Sequence, residues 1–312
     1  MAGHPTEAAL SRRRAIVVAL FVTFLWSTSW VLIKIGLRDI SPTSFAGLRY
    51  SLAAALVLPL AFRPHHRQSL RRLTAANWRE LIGLGILLYA LTQGAVFLGL
   101  AHLPAVTVNL LLSFTTSAVA LIAIPVLGET PGRRQSIGIV VALGGALLYF
   151  HPLTIPAGQA LGYIAVLIGL AANALSVILG RRINRRRDLS PTVITAVSMG
   201  VGGGLLLAGG WLFEGIPPLP PSVWLIIAWL ALVNTALAFS LWNQTLQVLS
   251  AAESSVINGT TLIMIPILAV AFLGETISRQ QLAGLLLAAV GTLLVQLRPR
   301  PEPVDTVRKA GG

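Results

Sequence analysis

The sequence predicts an all-α integral membrane protein in which ten transmembrane helices form two inverted five-helix repeats. Three observations support this fold class: the composition is strongly apolar, the chain divides into ten apolar runs, and its second half repeats the first. Because each half contains an odd number of spans, the second copy must enter the membrane with the opposite polarity. Such a plan is typical of transporters that bind substrate between their halves.

The composition indicates a membrane protein. Hydrophobic residues make up 55% of the chain, charged residues make up 11%, and the mean hydropathy is +0.80. Too few polar groups remain to solvate the surface of a 312-residue globule. The net charge of +13 would suit nucleic acid, but the basic residues flank the apolar runs, so we exclude a nucleic-acid partner. No cysteine is present, so neither a disulfide nor a thiolate metal site is expected.

The internal repeat centres on the tetrapeptide Leu-Gly-Glu-Thr, which occurs at 127–130 and returns 146 residues later at 273–276. The same offset aligns the flanking residues. Ser-Pro-Thr at 41–43 returns at 190–192, which requires a three-residue insertion near 185–187. Flanking pairs at the offset of 146 are Trp78 and Trp224, Leu100 and Leu246, Ala105 and Ala251, Thr115 and Thr261, Gly138 and Gly284, and Gly145 and Gly291.

Each apolar run has about the 20 residues that a helix needs to cross the hydrocarbon. The predicted domains are a cytoplasmic N-terminal tail (1–14), a first repeat (15–150), a periplasmic linker (151–159), an inverted second repeat (160–297) and a cytoplasmic C-terminal tail (298–312). The predicted spans are 15–37, 44–62, 78–100, 105–127, 134–150, 160–180, 192–213, 223–247, 252–273 and 280–297.

The basic residues predict the orientation. With a cytoplasmic N-terminus, 19 of the 23 Lys and Arg residues fall in inside segments, so the positive-inside rule places both termini in the cytoplasm.

Local signals predict helix starts and contacts between helices. Ser278 with Gln281 and Asn77 with Glu80 have the spacing of capping boxes. Small residues four apart in spans 5 and 10 favour close helix packing: Gly138 with Ala142, and Gly284 with Ala288.

Several of these features resemble the EamA type of the drug/metabolite transporter superfamily. They are the five-plus-five inverted duplication, Trp26-Ser27 in the first span and Leu-Gly-Glu at the ends of spans 4 and 9. Within that family the chain most resembles YddG-type exporters of aromatic amino acids. The resemblance implies a central cavity lined by spans 1, 3, 4, 6, 8 and 9, with spans 2, 5, 7 and 10 around it. One departure is that Pro266 of span 9 has Ala120 as its repeat partner, although the family often has proline in both halves.

Polar and aromatic side chains near mid-depth are the candidate substrate contacts. Lipid would leave their polar groups unsatisfied, so they must face protein or water. Alternatives remain open: hydroxyls can bond their own backbone, amides can join helices, and tryptophans can pack. The candidates are Trp26, Ser27, Trp30, Tyr89, Gln93, Ser113, Thr116, Asn173, Asn234, Asn258 and Thr261.

Four further residues have either a gating or a structural role. Glu129 and Glu275 lie at opposite membrane faces, where each binds helix ends or neighbouring arginines, or gates the cavity. Pro266 bends its helix. Arg49 lies within span 2 and pairs with helix-end carbonyls or with a substrate carboxylate. No carboxylate lies at mid-depth, so the usual proton or sodium carrier is missing and the sequence favours a facilitator.

These patterns lead to a functional hypothesis. We expect a monomeric, multi-pass transporter in the lipid bilayer of the bacterial inner membrane, exporting small organic metabolites by alternating access. The family resemblance implies amino acids, including aromatic ones, as the substrate. Multidrug or cationic-metabolite efflux, nucleotide-sugar exchange and a non-transporting membrane scaffold remain alternatives. The sequence has no motif of an enzyme, and we expect no cofactor and no metal site.

Overall fold

Helices dominate the structure, because a chain in lipid must satisfy its backbone N–H and C=O groups internally. The computed structural model describes residues 11–63, 70–71, 73–127, 132–186, 189–215 and 218–297, and no β-strand occurs in these ranges. The helices are α1 (Arg12–Gly36), α2 (Pro42–Ala61), α3 (Ala75–His102), α4 (Ala105–Ser113 continued by Thr115–Leu127), α5 (Arg133–Phe150), α6 (Ala160–Arg186), α7 (Pro191–Glu214), α8 (Pro221–Leu246), α9 (Ala251–Gly259 continued by Thr261–Leu273) and α10 (Arg279–Gln296).

In the described part of the chain, eight helices are long and apolar enough to cross a membrane. They are α1 to α4 and α6 to α9. The other two, α5 and α10, have 18 residues each and pack against each other. The protein is thus an all-helical membrane protein, and the tenfold crossing of the membrane stays a prediction.

Small residues hold α5 and α10 in close contact, as the sequence predicted. A Cβ atom added to Gly145 would lie 2.4 Å from the backbone N of Ala288, and one added to Gly138 would lie 2.8 Å from the carbonyl O of Gly291. Gly138 precedes Gly145 in α5, but its partner Gly291 follows Ala288 in α10, so the two helices run antiparallel. Any larger side chain here would force the backbones apart.

The helices α2 and α7 form a second close pair. A Cβ atom on Gly47 would lie 2.4 Å from the backbone N of Leu207, and one on Gly203 would lie 2.8 Å from the backbone N of Ser51. These contacts again join early residues of one helix to late residues of the other, so α2 and α7 are antiparallel. Both close pairs, α2 with α7 and α5 with α10, join segments that the internal repeat aligns with each other.

Of the two capping boxes predicted at helix starts, the structure contains one. Ser278 and Gln281 form the expected capping box at the start of α10. The predicted box of Asn77 with Glu80 is wrong, because Asn77 instead bonds back to Thr74, the N-cap residue of α3.

Two helix bounds also differ from the sequence prediction. The first helix begins at Arg12, inside the predicted tail, since Ser11 accepts a hydrogen bond from the Arg14 N–H and caps it. The first helix of the second repeat, α6, continues to Arg186, six residues beyond the predicted end of its span.

Candidate substrate cavity

A cavity of about 890 Å³ lies between the two halves of the chain. This volume is in the range of small-molecule binding sites. Its walls come from α1, α3, α4, α6, α8 and α9, the helices implied by the family resemblance. Two helices expected to lie outside it also contribute: α2 provides Arg49 and Tyr50, and α10 provides Thr292 and Gln296. Besides their close partners, α2 also contacts α3 and α8, and α10 also contacts α4 and α9.

The structure brings ten of the eleven candidate substrate contacts to this cavity. Ser27 is the exception, because its side chain is fully buried and donates a hydrogen bond to the Thr23 carbonyl at 2.7 Å. One step along a helix turns the side chain by about 100°, so Ser27 cannot share the face of Trp26. The ten that line the cavity are Trp26, Trp30, Tyr89, Gln93, Ser113, Thr116, Asn173, Asn234, Asn258 and Thr261.

Aromatic side chains form two walls of the cavity. The ring of Trp26 lies 5.5 Å from that of Phe239 and 5.1 Å from that of Trp242, measured between centroids. On another wall, the rings of Tyr50 and Tyr89 pack edge to face at 5.5 Å. Rings held in this way present fixed apolar surfaces to a ligand.

The amide side chains divide into two groups. Asn234 of α8 is fully buried, and its Nδ2 donates to the Leu25 carbonyl of α1, so it joins two helices. Asn173 of α6 donates to the Thr115 hydroxyl of α4 at 3.2 Å. By contrast, the side-chain amides of Gln93 and Asn258 line the cavity without a hydrogen bond to any residue that the structure describes.

The candidate hydroxyls bond mainly to nearby backbone, which was one of the two readings left open. Ser113 donates to the Leu110 carbonyl and Thr261 donates to the Asn258 carbonyl, each at 2.7 Å. Such bonds satisfy the donor but leave the oxygen free to accept a further hydrogen bond. These residues therefore offer acceptors to the cavity.

Sequence reasoning missed Asn109 of α4, which is buried and lines the cavity. Pro266 lies within α9, and its missing N–H leaves the carbonyl of Leu262 without its helical donor. The Nδ2 of Asn109 donates to that carbonyl across 3.4 Å. An unmatched asparagine in the middle of a predicted span was a usable signal for such a role.

Two π-helical segments border the cavity, at Gly85–Gln93 of α3 and Leu232–Leu237 of α8. The offset of 146 residues aligns these two segments with each other. In each, a threonine donates to the carbonyl five residues earlier: Thr92 to Leu87 at 2.7 Å, and Thr235 to Leu230 at 2.9 Å. A π-segment shifts the side chains that follow it around the helix, and such segments occur often at functional sites.

Arg49 is buried in α2, with 6% of its surface exposed, and it lines the cavity. Its Cζ lies 5.0 Å from the ring centroid of Tyr50. The Nε atom is buried without a hydrogen-bond partner. Among the described residues, no hydrogen bond joins Arg49 to the helix-end carbonyls considered from the sequence.

Glu275 follows α9 and binds the start of α4. Its carboxylate accepts hydrogen bonds from the backbone N–H groups of Ala105 at 2.6 Å and Val106 at 3.2 Å. Lys34 of α1 lies 3.6 Å from the same carboxylate and donates to the Leu103 carbonyl. A carboxylate suits a helix N-terminus, where free N–H groups and the helix dipole attract negative charge. Its repeat partner Glu129 lies outside the described residues.

A bundle of membrane-spanning helices around a central cavity is typical of multi-pass membrane transporters. The comparison with protein families agrees: the model of the EamA-like transporter family matches residues 13–151 and again 160–297. The chain therefore belongs to the EamA-like transporter family, whose members are transporters and not enzymes.

Individual relatives have low sequence identity to this chain. The chain is similar to the uncharacterized inner membrane transporter YedA of Escherichia coli K12 (27% identical, covering 92% of this chain and 94% of the relative). It is also similar to a probable amino-acid metabolite efflux pump of Salmonella typhimurium (26% identical, 88% and 92%). One solved crystal structure matches with a TM-score of 0.61 over 91% of this chain and 98% of that chain, and at 19% identity it shows the fold alone.

Proposed function

We propose that this protein exports small organic metabolites, most favourably amino acids including aromatic ones, across the bacterial inner membrane. The single observation that carries the proposal is the cavity of about 890 Å³ with aromatic walls and the amides of Gln93 and Asn258, which bond to no residue that the structure describes. Aromatic walls suit an apolar side chain, and free amides can bind ammonium and carboxylate groups. The named function of the Salmonella relative supports the same substrate class.

Transport would proceed by alternating access between two inverted repeats. The antiparallel packing of α2 with α7 and of α5 with α10 supports this proposal, because each pair joins repeat-equivalent helices. Inverted copies can exchange their conformations, which opens the site to either side in turn. We place both termini in the cytoplasm from the distribution of Lys and Arg.

In this arrangement the contacts of Glu275 close the periplasmic end of the cavity. The carboxylate joins the end of α9 to the start of α4 and to Lys34 of α1. Replacing Glu275 with Ala should raise the labelling of a Ser113→Cys variant by a membrane-impermeant thiol reagent on the periplasmic side. The matched control is Glu80→Ala, since Glu80 pairs with Arg186 at the opposite end of the bundle. Unchanged labelling would assign Glu275 a purely structural role.

Flux into proteoliposomes tests the substrate proposal. Radiolabelled L-phenylalanine should exchange through the purified protein, with or without a pH gradient, and a hydrophobic cation should not. Gln93→Leu and Asn258→Leu should each lower the exchange rate by about tenfold, as expected for loss of one or two substrate hydrogen bonds. Asn184→Leu is the matched control, because Asn184 is exposed and bonds the Gly180 carbonyl of its own helix.

The alternatives predict different results in the same assay. Exchange of cationic drugs or nucleotide sugars without amino-acid exchange would replace the proposed substrate. A membrane scaffold would give no flux of any of these compounds and no effect of the cavity variants.

A further inference from the structure

Arg49 is the charged residue that reaches the cavity. Of the cavity-lining residues in the described ranges, all the others are uncharged. No described carboxylate lies within 4.0 Å of its guanidinium nitrogens, since the ion pairs found in these ranges involve other residues. Among the described residues, the cavity therefore carries one positive charge and no counter-ion within this distance.

Two groups on α2 or bound to it do not use the donors of Arg49. Glu214 lies at the start of α2, where it accepts a hydrogen bond from the Ser44 N–H at 3.3 Å. Tyr50 contacts the guanidinium with its ring, and a ring offers no strong acceptor for the N–H groups. The guanidinium thus keeps donors that no described residue uses.

The charge is present in one repeat only. The offset of 149 residues aligns Arg49 with Ser198 of α7, whose hydroxyl donates to the Ile194 carbonyl of its own helix at 2.6 Å. A shared structural role would be expected to keep similar chemistry at both positions. Charged side chains inside a membrane protein are costly to bury without a partner, so such a residue usually serves a function.

We propose that Arg49 binds a carboxylate group of the transported molecule, so that the carrier selects anionic and zwitterionic substrates over cations. The inference rests on the proposed transport function and specifies its substrate class. A guanidinium binds a carboxylate through two parallel N–H···O bonds, which fixes the orientation of the ligand. The carboxylate would lie at the α2 wall, with the remainder of the ligand against the aromatic side chains and amides of the other helices.

Four compounds separate the contribution of the carboxylate to binding from the contribution of the rest of the ligand. They share a phenyl ring on a short chain: L-phenylalanine, L-phenylalaninamide without the carboxylate charge, 3-phenylpropionate without the ammonium group, and phenethylamine without the carboxylate. A ligand that binds only the folded state raises the unfolding temperature, and at a fixed ligand concentration the rise grows with the logarithm of its affinity. The unfolding temperature of the purified full chain in detergent is measured with each compound and without ligand.

The test variants are Arg49→Gln and the conservative Arg49→Lys. In the wild type, L-phenylalanine and 3-phenylpropionate should raise the unfolding temperature, and the other two compounds should not. Arg49→Gln should weaken carboxylate binding by about a hundredfold, as for loss of a buried charged pair, and Arg49→Lys should restore part of it. Arg38→Gln is the matched control for loss of one positive charge, because Arg38 is exposed outside the cavity.

Stability without ligand separates a binding role from a structural one. If Arg49 serves the ligand, Arg49→Gln should unfold at the wild-type temperature or above it, because an unpaired buried charge is removed. A lower unfolding temperature in Arg49→Gln and Arg49→Lys with unchanged compound preference would overturn the proposal. Stabilisation of the wild type by phenethylamine as strongly as by 3-phenylpropionate, or by neither carboxylate, would also overturn it.

One outcome distinguishes this inference from the proposed function. If 3-phenylpropionate stabilises the wild type in an Arg49-dependent way and L-phenylalanine does not, the cavity takes organic anions. Arg49 then keeps its assigned role, and the amino-acid proposal fails.

Discussion

At the residue scale, a buried polar side chain of this protein bonds to a backbone carbonyl that has lost its helical donor. Pro266 removes one helical donor from α9, and the freed carbonyl of Leu262 receives a hydrogen bond from Asn109 of α4. The two helices that the repeat aligns, α4 and α9, are thereby joined beside the cavity. A proline in a membrane helix is tolerated when a neighbouring helix supplies the missing bond.

A double-mutant cycle tests this interaction. Asn109→Ala should lower the free energy of unfolding by about 1 kcal/mol, a typical value for a hydrogen bond between membrane helices. Pro266→Ala restores an N–H to α9, so Asn109→Ala should cost less in that background. Unfolding by denaturant of the four proteins gives the coupling energy, and equal costs in both backgrounds would show that the two residues act independently.

At the element scale, close packing of α5 against α10 depends on which of two adjacent glycines faces the partner helix. A Cβ atom on Gly145 would lie 2.4 Å from the backbone of Ala288, and the position of a Cβ on Gly144 has no neighbour within 4 Å. The same contrast occurs in α7, where a Cβ atom on Gly203 would meet the backbone of α2 and one on Gly204 would have no neighbour within 4 Å.

Adjacent alanine substitutions test this packing. Gly145→Ala should destabilise the protein by about 1–3 kcal/mol, because an extra methyl group overpacks a close backbone contact. Gly144→Ala is the matched control and should be neutral or stabilising by up to about 1 kcal/mol, since alanine favours the helix. Thermal unfolding of both variants in detergent compares them directly. Equal effects would mean that α5 and α10 do not approach each other this closely.

At the scale of the whole molecule, the proposed inversion predicts on which face of the membrane each helix begins. Ala76 at the start of α3 and Ser222 at the start of α8 are repeat-equivalent at the offset of 146 residues, and both are exposed. Inverted copies place such a pair on opposite faces of the membrane. Parallel copies would place them on the same face.

Cysteine labelling measures this arrangement without background, because the chain has no cysteine of its own. In intact cells, a membrane-impermeant thiol reagent should label Ser222→Cys and leave Ala76→Cys unlabelled until the cells are opened. Flux of L-phenylalanine in each variant serves as the control for folding. Labelling of both variants from one side would exclude the inverted arrangement.

Some of the fold could be read from local sequence because its causes are local. Apolar runs of about 20 residues must become helices in lipid, and the pairing of Ser278 with Gln281 or of Gly138 with Ala142 depends only on helix geometry. The composition of the cavity could also be anticipated, because polar groups inside a membrane bundle must face protein or water. Ser27 was misplaced because its neighbour Trp26, and not Ser27, is on the cavity face.

The sequence by itself determined that this protein is a helical membrane protein with two related halves, since hydropathy and self-similarity are properties of the chain alone. Only the tertiary structure decided that Asn109 bonds to Leu262, that α3 and α8 contain π-segments, and that Arg49 reaches the cavity with no counter-ion among the described residues. The bond of Asn109 to Leu262 and the place of Arg49 in the cavity depend on groups far apart in the chain, since Asn109 and Leu262 are separated by 153 positions. No periodicity specifies which distant group will meet another.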